Sequence, residues 1–559
     1  MTRRTRLEQA GAHRGGRSTA GGGETQRAVA TEMGIARSTL RDWCGEVPRG
    51  DPPTGLTAFA RTPEGIAWLH RMVLAAHFSI TLRAAGGTRL VSEFLELSGL
   101  SAFVGVSDGA QHALNVDLET AVVAVAAEQR TALAEGMPVR QVTVCEDETF
   151  HPGICLVAIE PESNLIVLEQ YAADRTAATW TAALQDACTG LAVEVIQSTA
   201  DEAKALRRHA ETDLRAQHSP DLFHGQHEVS KATSLALARD VRRAEAGVAA
   251  AQKHWEAERA AQQAFEARVP RPLGRPPAFE TRIGAALSAL VAVEAERDRA
   301  RERQSEARAL IRELGVLYHP YDPVDGQTQP VERVAARFTD VWTRLKGLAE
   351  AAELPERARE RLAKAERLTV QWLATLAFFF ATVTARVEAL ALSPELEAAV
   401  LESSSSPAST SKRVAARSTA AETRHRVQAA STALLDVLRR ADHPLQRLAP
   451  EDSARVEQVA GACADLFQRS SSCVEGRNGQ LSLHHHGRHR LSDRRLAALT
   501  AVHNFHIRRP DGTTAAERFF GRTHPALFEE LLLRVPLPPR PRRRRPRPPK
   551  LPYLMPVAA

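Results

Sequence analysis

Apolar and polar positions follow two different periods along this chain of 559 residues. One region consists of short runs rich in β-branched residues, separated by turn residues, which is the pattern of short strands. Stretches with helical spacing interrupt these runs. The predicted strands are 142–150, 153–159, 164–171, 193–197 and 221–224, and the predicted helices between them are 177–191 and 203–214. The order is therefore strand, strand, strand, helix, strand, helix, strand.

A helical period dominates the region that follows. Apolar residues between 231 and 265 recur alternately four and three positions apart, which is a heptad seam. The seam consists of Leu237, Val241, Ala244, Val248, Ala251 and Trp255. The segment PRPLGRPP at 270–277 breaks the helix, and a second charged helix follows at 283–314. We predict an antiparallel coiled-coil hairpin that opens a helical insertion spanning 229–469.

One apolar stretch allows two interpretations. Residues 368–385 carry no charge and are close to the minimum length of a membrane span. Four threonines and a glutamine make the stretch only moderately apolar, and its flanks are ordinary amphipathic helices. We therefore predict a buried core helix and no membrane partner.

The N-terminal part has the pattern of two short helices around a tight turn. In residues 24–44 the turn falls at Gly34, and the second helix would begin with residues suited to contact bases and phosphates. Those residues are Arg37, Ser38, Thr39 and Arg41. The segment resembles the helix-turn-helix of bacterial regulators and transposases; the alternative is an ordinary surface helical hairpin.

Charge and cysteine usage narrow the class of protein. The net charge is +6, and the tail alternates proline with arginine at 540–550, which suits contact with DNA phosphates or simple solubility. Six dispersed cysteines without a C-x-x-C pair argue against a disulfide scaffold and a zinc finger. Residues 1–23 lack the apolar stretch of a secretory signal. We expect a cytoplasmic protein associated with the bacterial nucleoid.

Acidic residues lie where two predicted strands end. Asp147 ends the first strand and Asp201 the fourth. The element order resembles a ribonuclease H-like core, in which these two strands are neighbours. Two carboxylates at adjacent strand ends suit a pair of divalent cations, Mg²⁺ or Mn²⁺, for phosphodiester chemistry.

The C-terminal region resembles the last section of bacterial DDE transposases. The resemblance covers 142–226 and 474–520, with an acid that opens a helix followed by an Arg-Asn pair. It implies that Asp147, Asp201 and Glu475 form the catalytic and metal-binding triad, and that Arg477 and Asn478 contact DNA. It further implies a DNA transposase that acts on double-stranded element ends and target DNA as a homo-oligomer.

Several assignments have alternatives. Glu146 and Glu148 compete with Asp147, Glu202 competes with Asp201, and Glu228 competes with Glu475. His224 and His227 are either accessory site residues or surface residues. The histidines at 484–486 and 489 are either zinc ligands or a solvated, phosphate-contacting cluster. Gly105 to Gly109 fits the G-x-S-x-G motif of serine hydrolases, but no strand is predicted before the serine.

The predicted fold is mixed α+β: a ribonuclease H-like α/β core interrupted by a long helical, coiled-coil insertion, with an N-terminal helix-turn-helix. Active transposition is favoured over two alternatives, a catalytically inactive transposase-derived DNA-binding regulator and a coiled-coil scaffold. The predicted segments are 1–23 (disordered), 24–60 (helix-turn-helix and linker), 61–135 (helical DNA-binding or linker domain), 140–228 (first part of the core), 229–469 (insertion), 470–535 (last part of the core) and 536–559 (tail).

Overall fold

The computed structural model describes residues 54–150, 153–270, 274–322, 327–402, 440–487 and 491–536, together with isolated residues elsewhere. The predicted helix-turn-helix with Arg37, Ser38, Thr39 and Arg41 lies outside the described residues, as do the predicted disordered segment 1–23 and the tail from residue 537 onward.

The chain divides into two compact units. The described part of the first comprises residues 54–79, 88–115 and 536. It contains helices α1 (Thr54–Phe59), α2 (Pro63–His77) and α3 (Thr88–Leu97) and the beginning of α4 (Asp108–Ala134). The Thr62 side chain caps α2, and His77 at its end shares a buried 2.6 Å hydrogen bond with Gln111 of α4.

The second unit is built on a five-stranded mixed sheet. Its strands are β1 (Arg140–Phe150), β2 (Ile154–Glu160), β3 (Leu165–Ala172), β4 (Val193–Ala200) and β5 (Gln217–Pro220), with α5 (Ala177–Ala187) and α6 (Lys204–Arg208) between them. The order across the sheet is β3-β2-β1-β4-β5. Strands β1, β2 and β3 pair antiparallel, whereas β4 and β5 run parallel to β1. The mixed α+β class is confirmed.

The fifth strand was predicted in the wrong place. Residues 221–224 do not form a strand, because Asp221 caps the 45-residue helix α7 (Leu222–Glu266) and accepts a 2.6 Å hydrogen bond from the Phe223 amide. The strand is the preceding segment, Gln217–Pro220, which is short and more polar than a typical strand. The run Leu-Phe-His has a strand-like composition, but the aspartate before it starts a helix.

The exposed edge of β3 is closed by a side chain. Asn504 accepts a hydrogen bond from the Ile166 amide and donates one to the Ile166 carbonyl, at 3.0 and 2.9 Å. The side-chain amide of Asn504 thus takes the place of a neighbouring strand at Ile166, so this position cannot pair with another chain.

A predominantly helical segment follows β5. Helix α7 packs antiparallel to α8 (Phe279–Leu317), with ion pairs from Glu245 to Arg301 and from Glu258 to Arg282, both at 2.7 Å. Every residue of the predicted seam is buried or half-buried. The helical hairpin is confirmed, and its supercoiling stays a prediction. The remaining helices of this segment are α9 (Val331–Ala351), α10 (Glu356–Arg367), α11 (Thr369–Glu388), α12 (Pro394–Glu402) and α13 (Pro450–Leu466).

The apolar stretch at 368–385 forms α11, a core helix. Trp372, Leu376, Phe379 and Val383 recur at helical spacing and are buried in a cluster contributed by α7 to α13. Within the described residues, one stretch, Glu356–Glu388, is long and apolar enough to cross a membrane, a property that core helices also have. In its most apolar window 28% is buried, so one face of α11 packs in the core while much of the rest of the helix is partly exposed.

Past the insertion the chain returns to the sheet. The Leu222 amide donates to the Arg469 carbonyl at 2.8 Å, so the two ends of the insertion meet. Helix α14 (Ser472–Gly487) packs on β1 and β2, and α15 (Asp493–Phe505), α16 (Ala515–Phe520) and α17 (Leu527–Arg534) follow. Because the ends meet, the long insertion leaves the sheet order undisturbed.

Candidate acidic site at the ends of β1 and β4

The pairing of β1 with β4 aligns Asp147 with Asp201. Cys145 pairs with Thr199, and the same register continued by two residues places Asp147 beside Asp201. Residues at matching positions of adjacent strands point to the same face of a sheet. Both carboxylates therefore belong to one face of the sheet. Asp147 does not end its strand as predicted, because β1 continues to Phe150; it lies beside the point where β4 ends, at Ala200.

The electrostatics agree with this proximity. Burial raises the pKa of Asp147 to about 6, and the charge of Asp201 adds to this effect. The Glu148 amide opposes it by donating a 2.8 Å hydrogen bond to Asp147 Oδ1. Burial, and to a smaller degree the negative charge of Asp201, thus make the ionisation of Asp147 costly.

The acids on either side of Asp147 lie on the other face of the sheet. Glu146 is fully buried and accepts hydrogen bonds from Ser198 at 2.5 Å and from His209 at 3.2 Å. Glu148 accepts a 3.3 Å hydrogen bond from the Trp180 indole of α5. Strand alternation therefore distinguishes Asp147 from both neighbours, as expected from the sequence.

Asp201 and Glu202 are likewise separated by their partners. Asp201 Oδ1 accepts the Ala203 amide at 2.9 Å, whereas Glu202 bonds to the buried His218 at 3.1 Å. In the part of the chain that the structure describes, neither Asp147 Oδ2 nor Asp201 Oδ2 has a hydrogen-bond partner. Each aspartate thus has one oxygen fixed by the backbone and one available for a ligand.

Asp221 belongs to the same row and was not identified from the sequence as a site residue. Ala200 pairs with Pro220, so Asp221 follows β5 as Asp201 follows β4. Its Oδ2 accepts the Ser471 amide at 2.8 Å and the Ser471 hydroxyl at 2.6 Å. An aspartate directly before a helix is a capping signal that could have revealed its place but not its distant partner.

The two predicted accessory histidines lie on the first turns of α7. Asp221 Oδ2 is 3.8 Å from His224 Nδ1 and raises the pKa of His224, and the charges of Asp201 and Asp147 contribute in the same direction. His224 therefore belongs to the acidic site. His227 is exposed and stacks on Phe223, with ring centroids 5.5 Å apart.

Helix α14, whose first turn carries Glu475, packs on the face of the sheet that carries Asp147. Asp147 pairs with Val157, and Val157 with Glu169, so these side chains share a face. On that face Arg477 of α14 binds Glu169. Glu475 is exposed and has no side-chain hydrogen bond or ion pair within the described residues.

Asp147, Asp201 and Glu475 do not surround a common point in the described part of the chain. Among the described residues, no three His, Cys, Asp or Glu side chains are grouped closely enough to hold a metal ion. The convergence of Glu475 on Asp147 and Asp201 stays a prediction. The alternative third acid, Glu228, instead faces Lys231 at 3.4 Å and Arg361 of α10 at 3.5 Å.

The position of Arg477 does not fit the predicted contact with DNA. The side chain is buried and donates two hydrogen bonds to Glu169, at 2.7 and 2.6 Å. Its guanidinium is therefore committed to holding α14 on β3, and the predicted DNA contact is left to Asn478, which is half-buried.

The structure also shows where the G-x-S-x-G motif and the histidine cluster lie. Ser107 of the G-x-S-x-G motif follows a 3₁₀ turn, not a strand, and accepts a hydrogen bond from the Ala110 amide at the start of α4. The loop interpretation is therefore confirmed. Residues 484–486 form the last turn of α14, and His489 lies outside the described residues.

A comparison with known protein families matches the C-terminal part of the chain. A family of unknown function, DUF6399, matches residues 401–547. The matched segment contains Glu475 and helices α13 to α17 but neither Asp147 nor Asp201. A search of curated proteins found no match.

The raised pKa of Asp147 leads to a prediction for stability. The folded-state pKa of about 6 lies above the ordinary 3.8, so ionised Asp147 destabilises the folded state as pH rises through this interval. Two pKa units correspond to roughly 3 kcal/mol at most. Asp147→Asn, unfolded by urea in EDTA, should be more stable than the original protein at pH 8, and the difference should vanish near pH 4.

Asp117→Asn is the matched control for this measurement, because Asp117 is exposed on α4. Its effect should be small at both pH values. A variant Asp147→Asn that is less stable than the original protein at pH 8 would contradict the placement of Asp147 in a buried, acidic environment.

Proposed function

We propose that this protein is a DNA transposase of the DDE type, which cuts and joins DNA at the ends of a mobile element. The observation that supports the proposal is the parallel register of β1 and β4, which, continued two residues beyond the pair Cys145–Thr199, puts Asp147 beside Asp201, together with the effect of the Asp201 charge on Asp147. A central strand with an antiparallel hairpin on one side and parallel strands on the other, in the order β3-β2-β1-β4-β5, is the arrangement expected of a ribonuclease H-like core.

The donor atoms suit a hard divalent cation. Asp147 and Asp201 each offer a carboxylate oxygen without another partner among the described residues, and oxygen ligands are what Mg²⁺ and Mn²⁺ prefer. Asp147, Asp201 and Glu475 would hold the ions. Bound ions of this kind activate the attacking oxygen and stabilise the leaving oxygen of a phosphodiester.

The protein's own groups orient the carboxylates. The Glu148 and Ala203 amides each hold one oxygen of Asp147 and Asp201, which restricts the rotation of both side chains. The repulsion between the two charges makes cation binding favourable, since a cation removes the penalty that their proximity imposes. Two restrained carboxylates at this distance from solvent would thus favour a bound cation.

DNA binding and oligomerisation are also expected of such an enzyme. Residues 24–44 would bind double-stranded element ends through Arg37, Ser38, Thr39 and Arg41, and the basic tail would add phosphate contacts. Two DNA ends must be joined in one reaction, so a homo-oligomer is expected. Such a protein would act in the bacterial cytoplasm at the nucleoid.

A plasmid that carries the gene with its natural flanking DNA tests the proposal. Incubation of the full-length protein with Mg²⁺ or Mn²⁺ should produce cuts at fixed positions on both sides of the gene, mapped by primer extension. EDTA should abolish them, and a plasmid with unrelated flanks of equal length should stay intact. Binding to the natural flanks without cuts in either metal would favour the inactive regulator instead.

A further inference from the structure

Two buried polar contacts fix helix α14 on the sheet. At its beginning, Asp221 accepts two hydrogen bonds from Ser471, and both residues are 1% exposed. Further along, the Arg477 guanidinium binds Glu169, which also accepts a hydrogen bond from Thr500. Glu475 lies between the two contacts.

The contact at Asp221 spans the whole insertion. Ser471 precedes α14 by one residue, and its carbonyl accepts the Glu475 amide at 3.2 Å. Asp221 stands at the beginning of α7, directly after β5. One hydrogen-bonded pair therefore joins the chain where it leaves the sheet to the chain where it returns, one helical turn before Glu475.

A structural role alone accounts poorly for this choice of residues. A serine before a helix ordinarily caps it by accepting an amide hydrogen bond, without help from a distant residue. Here the Ser471 hydroxyl donates to a buried carboxylate, and burial of a carboxylate is costly unless its hydrogen bonds are well made. Such a pair fixes the relative position of the two chain segments that it joins. The residue that gains a defined position is Glu475, which has no partner of its own within the described residues.

We propose that Asp221 and Ser471 are positioning residues that fix the first turn of α14, so that Glu475 can close on Asp147 and Asp201 when metal ions bind. This inference rests on the proposed function, because it requires Glu475 to bind the metal. Asp221 acts through Ser471 and the first turn of α14, and the Arg477–Glu169 ion pair prevents that helix from rotating away.

Mn²⁺ binding tests the inference without any DNA reaction. Free Mn²⁺ is measured by electron paramagnetic resonance in titrations of the full-length protein and its variants. Ser471→Ala should weaken Mn²⁺ binding roughly tenfold, as the loss of a residue that orients a ligand does in other metal sites. Glu475→Gln should weaken it at least as much. In the double variant the loss should equal that of Glu475→Gln alone, because Ser471 acts only through Glu475.

Three further variants make the outcome decisive. Ser471→Thr keeps the hydroxyl donor and should bind like the original protein, and Ser472→Ala removes the exposed neighbouring hydroxyl and should have no effect. Asp221→Asn offers a second way to break the contact if Ser471→Ala fails to fold, since its amide replaces one acceptor oxygen. Thermal unfolding of each variant shows which of them are folded.

The results separate the two proposals. If Asp147→Asn leaves Mn²⁺ affinity unchanged, the proposed metal site is wrong and the positioning role falls with it. If Asp147→Asn weakens binding but Ser471→Ala and Asp221→Asn do not, only the positioning role is wrong. Losses that add in the double variant with Glu475→Gln also overturn it, because the pair would then act on the metal by another route.

Discussion

Replacing Asp147, Asp201 or Glu475 singly by its amide should abolish metal-dependent cleavage at the gene's flanks. Each change keeps the shape of the side chain but removes one charge from the site. Residues that act as a catalytic unit typically lose on the order of a thousandfold in rate or more when one is removed. The rate is measured as the appearance of cut ends in the plasmid assay with Mg²⁺. Combining two of the changes should add little to the loss from one, since the acids act together.

Two other acids provide comparison variants, Glu148 as a control and Glu228 as the alternative third acid. Glu148→Gln changes the residue after Asp147 on the opposite face of β1 and should leave cleavage within a few-fold of the original rate. Glu228→Gln decides the third acid: if it abolishes cleavage while Glu475→Gln does not, the assignment of Glu475 is wrong. DNA binding in a gel-shift titration should survive in all three amide variants, because residues 24–44 are unchanged. If the amide variants of Asp147 and Asp201 still cut, the nuclease proposal fails.

Trp372→Ala should cause the largest loss of stability among single changes in the insertion. The Trp372 side chain is fully buried, with the rings of Tyr318 and Phe338 at centroid distances of 5.5 and 5.6 Å. Truncation of a buried tryptophan to alanine typically costs about 3–5 kcal/mol. The measurement is urea unfolding in detergent-free buffer. Trp372→Phe should lose much less, because the Trp372 Nε1 has no hydrogen-bond partner among the described residues that could be lost.

Two glycines of α7 give a matched test of the same packing. A Cβ atom at Gly225 would lie 2.5 Å from the Trp372 ring, whereas a Cβ atom at Gly247 would have nothing within 4 Å. Gly225→Ala should therefore destabilise the protein by about 1–3 kcal/mol. Gly247→Ala should stabilise it by up to about 1 kcal/mol, because alanine favours the helix. Equal effects at the two positions would contradict the close packing of α7 on α11.

The sequence alone predicted those elements and side-chain directions that depend on a few neighbouring residues. The β-branched runs located strands β1 to β4, and the heptad seam located the α7–α8 hairpin, because both periods follow from backbone geometry within a few residues. The same alternation distinguished Asp147 from Glu146 and Glu148, since successive strand residues point to opposite faces. The apolar composition of α11 likewise indicated a buried helix before its neighbours were known.

Only the tertiary structure decided the features that depend on partners distant in the chain. The end of β5 and the start of α7 depend on Asp221, whose second partner, Ser471, is 250 positions away. Arg477 is a residue type that often contacts phosphates, but here it forms an ion pair with the buried Glu169 of β3. A hydrogen bond or an ion pair between distant residues leaves no periodic trace in the sequence, because its energy depends on burial and geometry that exist only once the chain has folded.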